Sequence, residues 1–262
     1  MASDSRVFVT GHAGMLGFVV CEVFRRAGWT VTTTDQRFDG RLDGPFVEGV
    51  LAEACPVIVN CAGTTPARAN AAELVLSNAV LPQVLATCGG LLIHASTDGV
   101  FSGRRGLYRV TEAPDATDAY GLSKRLGERC VELGRAVVLR TSIVGLDVGA
   151  PRSLISWYLA QSEPVPGYEN VRWNGITTLE WAHLALRVAA GDPAFQPGIH
   201  QPVSPSVASK AELLLAVRSA FGRGPDVVPT EAEQAVDRSL LGTWFAPPLS
   251  EQLTALARWH EQ

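Results

Sequence analysis

Short apolar runs rich in β-branched residues recur along the first part of the chain and predict buried strands. They cover residues 6–10, 29–34, 56–60, 91–95 and 136–140. Between them, apolar residues recur every three or four positions, a spacing that predicts amphipathic helices. These helical segments begin near Leu16, Val47, Ala71 and Asp118. The alternation of strands with helices predicts an α/β fold, a Rossmann-type doubly wound parallel sheet.

Regularity falls beyond Gly145. Helical patterns recur over residues 153–161, 179–190, 209–222 and 250–260. Glycine- and proline-rich stretches separate them, so we expect a smaller, loop-rich C-terminal substrate lobe beside the core. The predicted core comprises residues 1–145 and 177–192, and the predicted lobe comprises residues 146–176 and 193–262.

The composition is that of an ordinary globular protein, with 47% hydrophobic and 18% charged residues among 262. A net charge of -4 without a long basic run argues against a nucleic-acid partner or an anionic membrane. No apolar stretch reaches ~18 residues, so no transmembrane helix is expected, and residues 1–6 lack a signal-peptide layout. The five scattered cysteines contain no C-x-x-C and predict buried thiols in a reducing cytoplasm, without a disulfide or metal framework.

A glycine-rich turn joins the first predicted strand to the first helix. Gly11, Gly14 and Gly17 follow that strand with the spacing G-x-x-G-x-x-G, and Asp35 ends the next strand. Glycines permit a tight turn and a close approach of backbone to pyrophosphate, and the helix N-terminus offers N–H groups to phosphates. The turn therefore predicts a dinucleotide site, with a ligand-free glycine-rich helix start as the alternative. The remaining residues of the turn are His12, Ala13, Met15 and Leu16.

Asp35 and Arg37 bear on which dinucleotide binds. A carboxylate at this strand end can accept hydrogen bonds from both ribose hydroxyls, which suits NAD. A 2′-phosphate would meet like charge at Asp35, yet Arg37 is the residue type that usually pairs with that phosphate. The sequence favours NAD and leaves NADP open.

Small or polar residues stand where the predicted strands end. Asp35, Gly63 and Thr97 all follow strands, and doubly wound sheets bind ligands outside the carboxyl ends of their strands. Cys61, Ala62 and Gly63 are small enough to let the backbone lie close to a cofactor. We therefore expect a single site along this edge of the sheet.

Tyr120 and Lys124 are four residues apart in a predicted helix that Asp118 could cap. On a helix, this spacing places both side chains on one face. A cation within ~4–6 Å of a phenol lowers its pKa, so the pair could exchange protons. A solvated surface pair is the alternative.

Three motifs follow one another along the chain. They read Ser96-Thr97-Asp98-Gly99-Val100-Phe101, Tyr120-Gly121-Leu122-Ser123-Lys124 and Arg140-Thr141-Ser142-Ile143-Val144-Gly145. With the glycine turn, they resemble the S-T-D-Y-V-F, Y-G-x-S-K and R-T-S-x-x-G motifs of the extended short-chain dehydrogenase/reductases, and specifically the dTDP-4-dehydrorhamnose reductase branch. The resemblance runs from Val7 to about Gly222 and continues faintly through residues 237–240 and 247–248.

This resemblance implies a catalytic set. Tyr120 would exchange a proton with the substrate oxygen while hydride moves to or from a nicotinamide. Lys124 would hold the nicotinamide ribose and lower the pKa of Tyr120. Thr97 would donate a hydrogen bond to the same oxygen, with a plain strand-end cap as its alternative.

Further residues follow from the same resemblance. Asn78 matches a helix asparagine that supports the lysine, and an exposed helix residue is the alternative. Leu42 and Asp43 match a pair near the adenine. The substrate contacts implied by the first and third motifs are Thr97, Asp98, Gly99, Arg140, Thr141 and Ser142.

Two positions depart from the branch, which often has an aromatic residue where this chain has Gly99 and Ile143. Both would lie near the sugar, so the departures put the particular sugar in doubt. Trp173, with the following Asn174 and Gly175, belongs either to the substrate lobe or to a packed turn.

The predicted function is NAD(P)H-dependent reduction of a keto group on a nucleotide-linked sugar. One alternative is an epimerase that retains its NAD. A dehydratase is less favoured because Gly99 follows Asp98, where dehydratases carry a glutamate. Another alternative is a non-catalytic, nucleotide-binding regulatory subunit, and a homodimer is allowed.

Overall fold

A six-stranded parallel sheet lies at the centre of the protein. The structure is a computed structural model that describes residues 5–261. Its strands are β1 (Arg6–Thr10), β2 (Thr30–Thr33), β3 (Val57–Asn60), β4 (Leu91–Ser96), β5 (Ala136–Arg140), β6 (Ile143–Val144), β7 (Val165–Tyr168), β8 (Val171–Trp173), β9 (Ile176–Thr177), β10 (Gly198–His200), β11 (Pro202–Val203), β12 (Ala208–Ser209), β13 (Val227–Thr230), β14 (Val236–Asp237) and β15 (Trp244–Phe245). Its α-helices are α1 (Met15–Arg26), α2 (Pro45–Glu53), α3 (Ala71–Val75), α4 (Leu81–Thr87), α5 (Ala119–Gly127), α6 (Leu154–Leu159), α7 (Thr178–Ala189), α8 (Lys210–Phe221) and α9 (Leu249–His260).

The strand order of the main sheet is β10-β5-β4-β3-β1-β2, and neighbouring strands are parallel. From β1 the chain moves outward to β2 and then returns to β3 on the other side of β1. The strand order therefore reverses between β1 and β3, and such a reversal opens a crevice at the carboxyl ends of the strands. The predicted Rossmann-type doubly wound sheet is confirmed.

Alternate residues of the four central strands, β1, β3, β4 and β5, enter two different hydrophobic layers. In β1, Val7 and Val9 pack in the layer that contains α1 and α7, whereas Phe8 packs in the layer that contains α2 and α4. Because successive side chains of a strand point to opposite faces, a sheet covered on both sides requires apolar residues at every position. This burial explains the continuous apolar runs in the sequence.

The helix predicted to begin near Ala71 is interrupted by a segment of another helical type. A π-helical turn, Leu76–Val80, separates α3 from α4. Pro82 has no N–H group, so it cannot donate the helical bond to the carbonyl of Asn78, four residues earlier. That carbonyl instead faces Gly127 of α5, where a Cβ atom would overlap it. Turns of this kind are rare and often occur at functional sites.

The C-terminal region contains more strand than its sequence indicates. Residues 163–175, expected to be irregular, form β7 and β8, and the loop-rich stretch over residues 224–248 contributes β13, β14 and β15. β8 lies between β12 and β14 in a three-stranded sheet. These strands contain two to four residues each and are too short to show an alternating pattern.

The strand β10 was also absent from the sequence prediction. It lies between Pro197 and Pro202, yet it forms the edge of the main sheet beside β5. The predicted lobe boundary at residue 193 therefore separates a strand from the sheet to which it pairs. Elsewhere the division into core and lobe stays a prediction.

The sequence predicts that no helix crosses a membrane. Within residues 5–261, none is long and apolar enough to cross a bilayer. Residues 1–4, part of the stretch examined for a signal peptide, lie outside the described residues.

Candidate active site

The glycine turn forms a cradle at the crevice between β1 and β3. Gly11 has a φ of +69°, a value that favours glycine, and a Cβ there would lie 2.7 Å from the backbone nitrogen of Ala62. A Cβ on Gly17 would overlap the carbonyl oxygen of Gly11. Gly14 is the N-cap of α1, and no side chain caps that helix. Its first N–H groups are therefore available to an anion, and the turn fits the diphosphate of a dinucleotide.

The segment after β3 is held by Asn78. The side-chain oxygen accepts from the N–H of Thr64 at 2.9 Å, and Nδ2 donates to the carbonyl of the same residue at 2.9 Å. Nδ2 also donates to Oγ of Ser123 at 3.1 Å. Asn78 is fully buried, so the alternative of an exposed helix residue is wrong. One amide thus joins the π-helical turn, α5 and the loop that contains Gly63.

The residues predicted to contact the adenosine half of a dinucleotide follow β2. Asp35, Arg37 and Leu42 are exposed, and Asp43 pairs with a neighbouring arginine on the surface. The carboxylate of Asp35 lies 3.3 Å from Nε2 of His12 in the glycine turn. The structure therefore brings the acidic strand end and the turn together.

Tyr120 and Thr97 converge beside Gly99. Asp118 caps the start of α5, as predicted, and places Tyr120 in its first turn. A Cβ built on Gly99 would lie 3.2 Å from Cε1 of Tyr120 and 3.3 Å from Oγ1 of Thr97, so both side chains border one small space. Oγ1 of Thr97 accepts from the N–H of Gly99 at 3.0 Å and donates to Asp98 at 3.2 Å. Thr97 therefore also acts as a local cap.

The protonation of Tyr120 differs from the expectation. Burial raises its pKa, and the hydroxyl of Thr97 and the charge of Arg238 partly oppose that shift. Lys124, expected to lower the pKa, is buried and donates to the carbonyl oxygen of Ala95 at 2.7 Å. Burial lowers the pKa of Lys124 itself to about 8. In this state Tyr120 holds its proton at neutral pH.

A buried polar chain that the sequence analysis missed connects β1, β3 and β4. Oδ1 of Asn60 accepts from Oγ1 of Thr10 at 2.7 Å and from the N–H of Ala62 at 3.1 Å. This orients the amide, so Nδ2 donates to Nδ1 of His94 at 3.1 Å and the imidazole carries its proton on Nε2. Burial and the charge of Lys124 lower the pKa of His94 well below its usual range, which keeps it neutral.

Arg140 belongs to a buried ion pair. Its Nε and Nη2 donate to the two carboxylate oxygens of Glu128, each at 2.7 Å, and Nη1 donates to Gln201 at 3.1 Å. Oγ of Ser96 donates to the same carboxylate at 2.6 Å. Because these donors point into the interior, the geometry favours a structural role for Arg140 over the predicted substrate contact.

The other residues predicted at the substrate end differ in their surroundings. Thr141 is buried, and the carbonyl of Ser142 accepts from the N–H of Ile176 at 2.9 Å. Their substrate contacts stay predictions. Trp173 is 2% exposed, which favours the packed alternative. Asn174 binds both backbone groups of Leu240 and ties β8 to the residues after β14.

The family of the chain follows from its match to known sequences. A family model described as the RmlD substrate binding domain matches residues 5–149, more than half of the chain. The chain belongs to this family. The predicted membership of the extended short-chain dehydrogenase/reductases, in the RmlD-like branch, is therefore confirmed. The matched residues contain the glycine turn, Thr97, Tyr120 and Lys124.

Two curated relatives of this RmlD-family chain carry different names. It is 36% identical over 135 residues to dTDP-4-dehydrorhamnose reductase of Streptomyces griseus, covering 48% of this chain and 44% of that protein. It is 32% identical over 161 residues to methionine adenosyltransferase 2 subunit beta of Xenopus laevis, covering 55% of this chain and 48% of that protein. The chain spans about half the length of these relatives.

A solved structure shares the whole fold. It is a dTDP-4-dehydrorhamnose reductase from Bacillus anthracis str. Ames in complex with NADP. The two chains superpose with a TM-score of 0.81 at 20% identity, over 99% of this chain and 100% of that one. The likeness in fold includes the C-terminal region, beyond the residues that the family model matches.

Proposed function

We propose that the protein is an NAD(P)H-dependent oxidoreductase that reduces a keto group on a nucleotide-linked sugar. The observation that carries the proposal is the convergence of Thr97 and Tyr120 beside Gly99. The names of the reductase relatives and of the superposed structure support the same reaction class. The geometry supplies two hydroxyl groups that could meet one substrate oxygen.

The residues that would hold the dinucleotide lie along the carboxyl edge of the sheet. The Gly11–Gly17 turn would receive the diphosphate, and Asp35 the adenine ribose. The loop fixed by Asn78 would border the nicotinamide ribose, near Lys124. NADH or NADPH supplies hydride when bound. Asp35 favours NAD, while the NADP of the superposed reductase keeps the phosphorylated form open.

Tyr120 is suited to donate a proton. Its raised pKa keeps the phenol protonated at neutral pH, and reduction of a carbonyl requires a donor for the oxygen that becomes an alcohol. The hydroxyl of Thr97 would turn from Asp98 to donate to the same oxygen, where negative charge develops. Lys124 would donate to a ribose hydroxyl and add positive charge near the phenol.

The proposal is tested by following the oxidation of NADH and NADPH with a panel of 4-keto sugars linked to dTDP or UDP. We expect one-to-one oxidation of the cofactor with formation of the reduced sugar. Tyr120→Phe should lower kcat/KM by about 10²–10⁴-fold while cofactor affinity changes little. Tyr168→Phe, at an exposed tyrosine of β7, is the matched control and should retain activity.

The outcome separates this function from the epimerase alternative. Turnover with retained NAD and no net oxidation would replace the reductase with an epimerase. Activity of Tyr120→Phe near that of the wild type would contradict the proton-donor role.

A second candidate function rests on the relatives named as subunits of methionine adenosyltransferase. In this case the chain would bind a dinucleotide as a subunit of another enzyme and would not turn over sugars. Cofactor binding without oxidation across the whole panel would favour it. Assembly as a homodimer and a cytoplasmic location stay predictions.

A further inference from the structure

The chain contains two lysines, and the sequence motifs account for one of them. Among 22 basic residues, Lys124 and Lys210 are the lysines and the others are arginines. Lys124 belongs to the Tyr120 helix. Lys210 begins α8 in the C-terminal region and is half-buried, far along the chain from the motifs.

Short strands bring Lys210 to the same place as Arg238 and Trp173. β8 ends at Trp173, and its parallel neighbour β14 ends one residue before Arg238. Its antiparallel neighbour β12 pairs Ala208 with Trp173 and ends one residue before Lys210. Nζ of Lys210 lies 4.9 Å from the centre of the Trp173 ring. Nε of Arg238 donates to the carbonyl of Phe101, the last residue of the Ser96–Phe101 motif, at 3.1 Å. The three-stranded sheet thus sets two cations against the catalytic edge.

Asp98 is the acidic group that both cations affect. Burial raises the pKa of Asp98, and the charges of Lys210 and Arg238 oppose that rise. The charge of Arg238 also acts on Tyr120. Across residues 5–261, however, neither cation has a carboxylate within 4.0 Å. Two positive charges therefore share one carboxylate, Asp98, at longer range.

The position is unfavourable for Lys210 without a closer anion. Burial lowers its pKa, since desolvation disfavours the ammonium, and the nearby guanidinium of Arg238 adds to this effect. The face of Trp173 compensates only in part, because a cation–π contact is weaker than a charge-assisted hydrogen bond. A ligand oxyanion would satisfy both cations and raise the pKa of Lys210 again.

We propose that Lys210 and Arg238 form an oxyanion subsite that binds an anionic group of the substrate within reach of Tyr120. The proposal rests on the proposed function and names the part of the substrate that selects this site. Two anionic groups of a sugar nucleotide share the required chemistry: the phosphate next to the sugar and a carboxylate on the sugar. Both would accept a bidentate contact from Arg238 and a point-charge contact from Lys210.

The test measures ligand binding to the full chain by calorimetry in the presence of NADH. The probes are dTDP, UDP, UDP-glucose and UDP-glucuronic acid. The variants Lys210→Met and Arg238→Met remove the charge and keep the aliphatic length. Arg172→Met is the matched control, because Arg172 is exposed and precedes Trp173 by one residue, on the opposite face of the same strand.

If the subsite holds the phosphate, each variant should bind UDP and UDP-glucose at least tenfold more weakly than the wild type. Arg172→Met should bind both ligands with an affinity within twofold of the wild type. If the subsite holds the carboxylate, only the affinity for UDP-glucuronic acid should fall at least tenfold. Lys210→Arg and Arg238→Lys, which keep the charge, should recover most of the affinity. Recovery of affinity in these two charge-conserving variants would also show that the loss in the methionine variants does not come from misfolding.

The proposal is overturned if neither variant binds any probe more than twofold more weakly than the wild type. It is also overturned if Arg172→Met lowers the affinity for the probes as much as the two variants do. These binding measurements require no turnover. Lysine-dependent binding without sugar reduction would therefore reject the proposed function and retain the subsite. Reduction with an unchanged KM in both variants would reject the subsite and retain the function.

Discussion

Arg140 at the end of β5 and Arg238 after β14 both lie near the catalytic edge, but their bonding differs. Arg140 donates to both oxygens of Glu128 and to Gln201, and it is 2% exposed. Arg238 donates through Nε to a backbone carbonyl and has no carboxylate within 4.0 Å among the described residues. The charge of Arg140 is therefore neutralised inside the protein, whereas the charge of Arg238 is left for the ligand anion that we propose.

Glu128→Ala should show the largest effect. It leaves the guanidinium of Arg140 buried and unpaired, and breaking such a pair lowers the free energy of unfolding by about 3–5 kcal/mol. Arg238→Met should lower it by less than about 1 kcal/mol. Urea unfolding of both variants measures the contrast. A double variant, Glu128→Leu with Arg140→Met, should recover most of the stability, and equal losses in the two single variants would refute the comparison.

Lys124 should make the stability rise with pH in the alkaline range. Its pKa is about 8 in the folded protein and ordinary in the unfolded chain, so the unfolded chain binds more protons between these values. The free energy of unfolding of the wild type should therefore gain about 2–3 kcal/mol relative to Lys124→Met from pH ~8 to ~10.5. Lys210→Met should show a smaller difference of the same sign. Parallel pH profiles for the wild type and Lys124→Met would contradict the burial of this charge.

Gly17→Ala should lower both the stability of the protein and its affinity for the dinucleotide. Its Cβ would overlap the carbonyl oxygen of Gly11, so we expect a loss of about 1–3 kcal/mol in unfolding free energy and at least tenfold weaker binding of NADH. Gly49→Ala in α2 is the matched control, since nothing lies within 4 Å of its Cβ, and it should be neutral or stabilising. Fluorescence titration measures the affinity of both variants for NADH, and equal affinities in Gly17→Ala and Gly49→Ala would contradict this prediction.

Asp35→Asn should give the smallest effect. Removing the carboxylate removes its repulsion of a 2′-phosphate, so the ratio of kcat/KM for NADPH to that for NADH should rise about tenfold, or about 1.4 kcal/mol. Asp39→Asn, at another exposed carboxylate after β2, should leave the ratio unchanged. An unchanged ratio in Asp35→Asn would assign cofactor choice to other residues.

The core was predictable because its strands are buried on both sides. Continuous apolar runs such as residues 57–59 stand out from the helices between them, and the glycine turn marks the first crossover. The strand β10 was not predictable, because three residues between two prolines carry no pattern, and only pairing with β5 stabilises them. The interrupted helix was readable in part, since Pro82 removes the bond to Asn78.

The site was predictable where a motif carries it. Thr97, Tyr120 and Lys124 were placed by spacing and resemblance, and their catalytic roles await the variants above. His94 carried no such signal, and Arg238 lay only in the faint continuation of the resemblance through residues 237–240, because their surroundings come from other strands. A histidine inside an apolar strand is consistent with plain core packing, and only the pairing of β3 with β4 sets it beside Asn60.

The small number of lysines makes the chain unusually open to amine chemistry. Acylating reagents react with the neutral amine, and the lowered pKa of Lys124 and Lys210 enlarges that fraction near pH 8 relative to an ordinary lysine. Side-chain labelling would therefore report on two positions, Lys124 in α5 and Lys210 beside Trp173. Protection of one lysine by a dinucleotide and of the other by a nucleotide sugar would map the two half-sites by mass spectrometry, without a crystal.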